Sequence, residues 1–291
     1  LCKKCLNVYS CPNCSINLVY HKYKNKLLCH YCGFQAQLSR NCKKGEVCDF
    51  VFSGSGVERS SEEVKLKFPN NKISIFSSDT MNKKSSKKKL EDIVKGKIDI
   101  LIGTQLISKG FHFPKLNCIV ILDIDLNSNG HDLRTAEKNL QLYHQLSGRA
   151  GRTGKPAKVY FQTYNSNQSI INQITNPDPF IFLENELKLR EKNNLPPFER
   201  FISLILTSSN ERSLEKESMD IKNILSESLN EKILGPVNAP IYRVRRKYRQ
   251  RLLIRSKKGS NIQKRLSEVL ITYKLPKEIK LTVDVDPITF N

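Results

Sequence analysis

Two arginines, Arg149 and Arg152, stand in the stretch Gln145-Leu-Ser-Gly-Arg-Ala-Gly-Arg-Thr-Gly-Lys155, where glycines break the chain just after a helical apolar repeat. Guanidinium groups on such a turn neutralise charge developing on a transferring γ-phosphoryl group, and glycines let backbone approach phosphate oxygens. The chemistry expected of these residues is half of an ATP site, with Arg152 as the finger and Arg149 and Gln145 positioning the γ-phosphate. The sequence does not supply the other half. A Walker loop needs Gly-Lys followed by Ser or Thr, whereas Gly96-Lys97 is followed by Ile98 and Gly154-Lys155 by Pro156. No Asp-Glu pair suited to Mg²⁺ occurs. With Leu1 rather than Met first, the chain is expected to be the C-terminal part of a longer motor that uses ATP and Mg²⁺, and to lack ATPase activity by itself.

A second chemistry is carried by thiols. Eight of the nine cysteines fall in the first 48 residues, as three Cys-x-x-Cys pairs (Cys2/Cys5, Cys11/Cys14, Cys29/Cys32) followed by Cys42 and Cys48. Each pair is a knuckle that brings two thiolates to one tetrahedral Zn²⁺, so eight thiolates suit two structural Zn(Cys)₄ centres. A disulfide framework is the rival, but it belongs to secreted domains. The ninth cysteine, Cys118, lies in the apolar run Asn117-Cys-Ile-Val-Ile-Leu-Asp123 and is expected to be buried.

These groups need elements to hold them. From Asp49 onward, short β-rich runs alternate with helical stretches, the pattern of a parallel sheet flanked by helices. Strands are expected at Phe50 to Phe52, Ile73 to Phe76, Asp99 to Ile102, Ile119 to Leu122 and Val159 to Thr163. Ser60-Ser-Glu-Glu63 reads as a capping box, and Leu90, Ile93 and Val94 give another helix its apolar face. Leu133, Ala136, Leu140, Tyr143 and Leu146 recur at helical spacing and stop at Gly148. The strand ending at Ile102 runs into Gly103-Thr-Gln-Leu-Ile-Ser-Lys-Gly110, so Gly103, Thr104, Gln105, Lys109, Gly110 and Gly148 are the nucleotide-binding candidates at the carboxyl edge of the sheet. Gly54-Ser-Gly56 lacks the third glycine of a dinucleotide fingerprint, since Arg59 stands there, and reads as a tight turn.

Residues 165–199 form a polar, Asn-rich connection with a helical centre around Phe180, Leu183, Leu187 and Arg190, closed by Pro196-Pro197. Residues 200–291 then read as a compact α+β domain. Inside its paired strands lies Tyr242-Arg-Val-Arg-Arg-Lys-Tyr-Arg-Gln-Arg251, with six cations and two tyrosines. Period-2 projection puts Arg243, Arg245 and Lys247 on one face of the first strand. Arg243, Arg245, Arg246, Lys247, Tyr248, Arg249 and Arg251 are therefore DNA candidates, the cations meeting phosphates and the tyrosines stacking bases. An edge ribbon kept soluble by charge, or an acceptor for an acidic protein tail, fits the same residues. Lys83-Lys84 and Lys87 to Lys89 read as a solvated face.

Composition agrees with a polyanionic partner. The formal net charge is +21, from 49 Lys+Arg against 28 Asp+Glu, and nucleic acid is expected rather than a mere solvated coat. The sequence has no run of 18 apolar residues, so a cytoplasmic location is expected.

Gly103 to Pro114 resembles motif V and Gln145 to Arg152 motif VI of superfamily 2 helicases. With Gly54-Ser-Gly-Val-Glu58, Leu122-Asp-Ile-Asp125, the eight cysteines, Leu234-Gly-Pro236 and Asp284-Val-Asp-Pro287, the likeness extends to the family of primosomal protein N′, the replication restart helicases, over essentially the whole chain. The resemblance implies a zinc-binding module at 1–48, a RecA-like second helicase lobe at 49–164, a helical linker at 165–199 and a C-terminal α+β domain for DNA or partners at 200–291. It implies that one zinc is held by the outer cysteines Cys2, Cys5, Cys42 and Cys48 and the other by the inner set Cys11, Cys14, Cys29 and Cys32. The last thiol departs from the family spacing, because position 45 is Gly45 and the cysteine stands at Cys48. Also implied are 3′-to-5′ DNA unwinding at stalled forks, primosome assembly, contact with single-stranded DNA-binding protein, and a monomer.

Overall fold

The computed structural model describes residues 2–21, 25–38, 42, 47–50, 57–76, 83–104, 113–124, 132–148, 157–164, 171 and 178–289. It divides into two compact units. One joins Leu1–Phe52 to Phe180–Asn291, and the other is Ser53–Pro179. No helix among the described residues is long and apolar enough to cross a membrane.

In the first unit, β1 (Val19–His21), β2 (Lys26–Leu28) and β3 (Gln35–Ala36) form a small antiparallel sheet in the cysteine module. Helix α4 (Pro179–Lys192) leads into the C-terminal domain of β8 (Glu199–Ser208), α5 (Glu211–Ser228), β9 (Lys232–Val244), β10 (Lys247–Lys257), α6 (Ile262–Thr272) and β11 (Lys280–Val285). Its strands lie in the order β11-β8-β10-β9 with every neighbour antiparallel, a split βαβ arrangement. Alternation explains it. Ile202, Leu204 and Leu206 of β8 and Leu252 and Ile254 of β10 all point to one face, where they meet Leu214, Ile221 and Leu225 of α5 and Ile262 and Leu266 of α6. Asn210 caps α5, its side chain accepting from the Ser213 N–H at 3.2 Å. The buried Glu217 accepts from the Tyr273 hydroxyl and so stays satisfied inside this layer.

The cationic run does not lie along one strand. Arg245 and Arg246 have φ of 51° and 64°, so they form the two-residue turn between β9 and β10. Two consecutive left-handed residues match the twist of a hairpin but cannot continue a strand. Arg243 ends up opposite Tyr248, and Lys247 opposite Val244. The expected helical centre around Phe180, Leu183 and Leu187 also turns over. α4 buries Phe182 and Arg190 and leaves those three exposed, with Arg190 Nε bonded to Glu186 at 2.9 Å.

In the second unit, β4 (Ile73–Phe76) pairs in parallel with β5 (Ile100–Gly103), and β6 (Cys118–Ile121) in parallel with β7 (Lys158–Phe161). The described residues thus show two parallel pairs, with helix α1 (Val57–Lys67) leading into β4, α2 (Lys83–Val94) between β4 and β5, and α3 (Thr135–Ser147) between β6 and β7. Tyr143 of α3 is buried and meets Phe161 of β7 edge-on, centroids 5.6 Å apart. The supposed capping box falls inside α1, which begins at Val57, and Arg59 and Glu63 form an i,i+4 pair there instead. Cys118 is exposed, not buried: β6 alternates, turning Ile119 and Ile121 inward and Cys118 and Val120 outward. Of the strand expected at Phe50 to Phe52, only Phe50 is among the described residues, where it bridges to Cys2. The turn at Gly54 to Gly56 and the side chains of Lys83, Lys84, Lys87 and Lys88 lie outside them.

Leu204 is fully buried at the centre of the β8–β10 ladder, opposite Leu252. Leu204→Ala is expected to cost about 2–5 kcal/mol, read by urea unfolding of the whole chain.

Candidate metal centres and phosphate edge

Among the described residues of the cysteine module, the buried apolar side chains are Cys2, Cys11, Cys14, Cys29 and Cys42 with Leu27, so thiols dominate its core. The Cys11 N–H donates to Ile16 O and the Cys29 N–H to Phe34 O, each at 2.9 Å, which bends these two segments into knuckles. Gly33, at φ 78°, occupies the turn that a side chain would strain. At the other end, the Lys3 N–H donates to Asp49 O at 2.7 Å and Cys2 bridges to Phe50, clasping the end of the module to its start.

This folding gathers the sulfurs into two sets, Cys2 with Cys5, Cys42 and Cys48, and Cys11 with Cys14, Cys29 and Cys32, the ligand atoms of each set lying within 4.8 Å of one another. A zinc tetrahedron with arms of about 2.3 Å has edges of about 3.8 Å. Cys11 Sγ and Cys32 Sγ lie 3.5 Å apart. That spacing fits such an edge and far exceeds the roughly 2 Å of a disulfide bond. Within each set the thiols differ in how readily they ionise. Backbone N–H groups, of Cys5 and Phe34 respectively, pull Cys2 and Cys32 down to about 6, while burial pushes Cys14 and Cys48 up to about 12. A bound dication would hold all four thiols of a set ionised. Both sets have the donor type, number and closeness that suit zinc.

Of the nucleotide candidates, β5 ends at Gly103 with Thr104 following, and α3 carries Gln145 on its exposed side and closes at Gly148, whose N–H returns to His144 O at 2.9 Å. Gln105, Lys109, Gly110, Arg149 and Arg152 lie outside the described residues.

The basic hairpin is placed in an unexpected way. The Ser15 N–H donates to Arg243 O and the Arg246 N–H to Asn13 O, both at 2.8 Å. Arg243 Nη2 reaches Pro12 O at 2.9 Å, Arg245 Nε reaches Tyr31 O at 3.2 Å, and Arg246 Nε reaches Asn13 Oδ1 at 2.8 Å. The Arg245 N–H donates to Cys14 Sγ at 3.3 Å. The turn therefore rests on the inner thiol set. Tyr248 packs against the domain core, and the Tyr242 hydroxyl donates to Glu211 at 2.7 Å; burial first, and that carboxylate second, push Tyr242 up. Farther along β10, Arg249 and Arg251 alternate with the buried Gln250 and Leu252, so they occupy the sheet face away from the helices. Burial, and then the neighbouring Arg249, pull Arg251 down. Sequence reasoning missed Pro12, Asn13 and Tyr31 as partners of the hairpin. The available signal was an Arg-Arg pair where a hairpin turn normally carries Asn-Gly.

Comparison with known proteins separates these parts by family. Residues 11–36 match the PriA DNA helicase Cys-rich region domain, residues 24–154 the helicase conserved C-terminal domain, and residues 191–288 the primosomal protein N C-terminal domain. The whole chain is 39% identical to the replication restart protein PriA of Rickettsia felis, over 292 residues and 45% of that protein. The chain belongs to the PriA family. Its PriA relatives in Bacillus subtilis and Haemophilus influenzae are each 32% identical across 99% of the chain, covering 36% and 40% of their own lengths. The chain thus spans less than half the length of these PriA relatives. Its mixed α/β fold, with parallel strands and helices in the part matching the helicase domain and a cysteine-rich region in the same chain, accords with the PriA domain set.

Two zinc ions per chain are expected by elemental analysis, and Cys48→Ser should lower the count to about one by weakening the outer set alone.

Proposed function

We propose that this chain is the C-terminal part of an ATP-dependent 3′-to-5′ DNA helicase that restarts stalled replication forks and helps assemble the primosome. The observation that carries this is the combination in one chain of a helicase C-terminal domain with two modules particular to PriA, the cysteine-rich region and the C-terminal domain. Either module alone would fit a DNA-binding scaffold; the helicase domain in the same chain argues for a motor.

In this reading Arg152 is the finger, Arg149 and Gln145 position the γ-phosphate, and Gly103, Thr104, Gln105, Lys109, Gly110 and Gly148 line the nucleotide edge. ATP with Mg²⁺ would supply the phosphoryl group, and the remaining walls come from a partner lobe. Two zincs hold the cysteine module. Lys247 and Arg249, on β10, are the strongest cations for DNA phosphate, with Arg251 on the same face of the strand, whereas Arg243, Arg245 and Arg246 donate to the cysteine module. Forked or single-stranded DNA, single-stranded DNA-binding protein and primosome proteins are the partners, in the cytoplasm, with the chain as a monomer.

The isolated chain should hydrolyse no ATP. In the longer helicase to which we assign it, Arg152→Ala should lower DNA-stimulated hydrolysis by about 10³-fold or more with DNA binding retained; unchanged turnover would remove the arginine from this role. Arg249→Ala with Arg251→Ala should weaken binding to single-stranded DNA regardless of sequence and reduce the salt slope by about one for each phosphate no longer neutralised, measured by fluorescence anisotropy over a salt series.

A further inference from the structure

The β9–β10 turn makes contacts that a solvent-facing DNA hairpin would not need. Its backbone meets both ends of the inner knuckle, Arg246 N–H to Asn13 O and Ser15 N–H to Arg243 O, while Val244 packs against the cluster of Cys11, Cys14 and Cys29. Asn13 works in both directions. Its own N–H donates to Cys11 Sγ at 3.4 Å and its Nδ2 lies 3.8 Å from Cys32 Sγ, while its carbonyl and Oδ1 receive Arg246. The residue that holds two thiols of the inner set is thus the residue that holds the turn.

The turn itself is unfavourable in isolation. Arg245 and Arg246 both take positive φ, a conformation that side chains with a Cβ disfavour and that glycine and asparagine adopt easily. The strain is offset by what those side chains do, since each Nε donates into the cysteine module, to Tyr31 O and Asn13 Oδ1. A hairpin needing only to reverse direction would have no use for this pair.

We propose that the inner four-thiol centre is the catch that positions the basic hairpin, with the Arg245 N–H acting as an outer-shell donor to the Cys14 sulfur. The inference rests on the zinc reading of the site. A thiolate bound to metal is a stronger acceptor than a neutral thiol, and donors around a metal's ligands hold the ligands in place in turn. Metal at the inner set therefore fixes where the β10 cations Lys247 and Arg249 are presented, and the docked turn slows metal loss. The turn's hydrogen bonds run to Pro12, Asn13, Cys14, Ser15 and Tyr31, all within the inner knuckles, so the outer set serves as the control.

The test compares the whole chain with two double variants, Cys11→Ser with Cys29→Ser for the inner set and Cys2→Ser with Cys42→Ser for the outer. Zinc is counted first, then amide hydrogen exchange is followed by mass spectrometry across residues 240–248. Loss of the inner zinc should speed exchange at Arg245 and Arg246 about tenfold or more, and loss of the outer zinc should leave it unchanged. A second variant, Arg245→Asn with Arg246→Gly, keeps a good turn but removes both side-chain anchors. It should release one of its two zincs to a chromogenic chelator about tenfold faster and the other at the original rate. Protection that is indifferent to the inner zinc, or that falls equally for both double variants, overturns the coupling. An unaltered chain that takes up only one zinc, with the inner cysteine variant losing none, overturns the metal reading itself, and the zinc count reveals this before any exchange is measured.

Discussion

Four sulfurs gathered within 4.8 Å of one another cannot all ionise unless a cation lies between them. Each thiolate raises the cost of ionising its neighbours, and the module's described residues bury only Leu27 beside the thiols to set against that repulsion. A dication held at the centre of each set would reverse the sign of the problem. The knuckles, the three short strands and the clasp between Lys3 and Asp49 all follow from bringing eight sulfurs to two points. The C-terminal hairpin then leans on one of those points.

The C-terminal domain is held by a different force. There the ladder of β8 and β10 and the two helices over it are joined by alternating aliphatic side chains, with the carboxylate of Glu217 met inside this layer by the Tyr273 hydroxyl. Arg255 fastens the approach to this domain, pairing with Glu199 at 2.8 Å and donating to Asn194 O at 2.9 Å. A domain that owes its fold to apolar burial and a module that owes its fold to thiols meet at a hairpin tip, so each can stabilise the other without sharing a core.

Much of this was legible in the sequence because periodicity reports directly on which face is buried. β4 occupies the expected residues, while β5, β6 and β7 begin one residue from the expected positions and α3 stops at Gly148. What escaped had specific causes. The apolar run around Cys118 looks buried on both sides, but a strand with one described neighbour alternates, and the thiol faces outward. Ser60 and Glu63 carry capping-box spacing yet sit one turn inside a helix that starts at Val57. The density of cations from Arg243 to Arg251 masked a turn, because backbone conformation at Arg245 and Arg246 is set by docking rather than by residue preference. No local pattern can announce a bond between Arg245 and Cys14, whose sequence separation is 231 residues.

That separation has a consequence for how the chain is made. The inner knuckle leaves the ribosome long before its capping hairpin exists, and at ordinary elongation speeds the interval is on the order of 10–50 s. During that time the thiols are more open than they will be later. The inner thiols are therefore complete as a set well before the hairpin that covers them can seat, and Cys14 waits for its Arg245 partner until the C-terminal domain has been made.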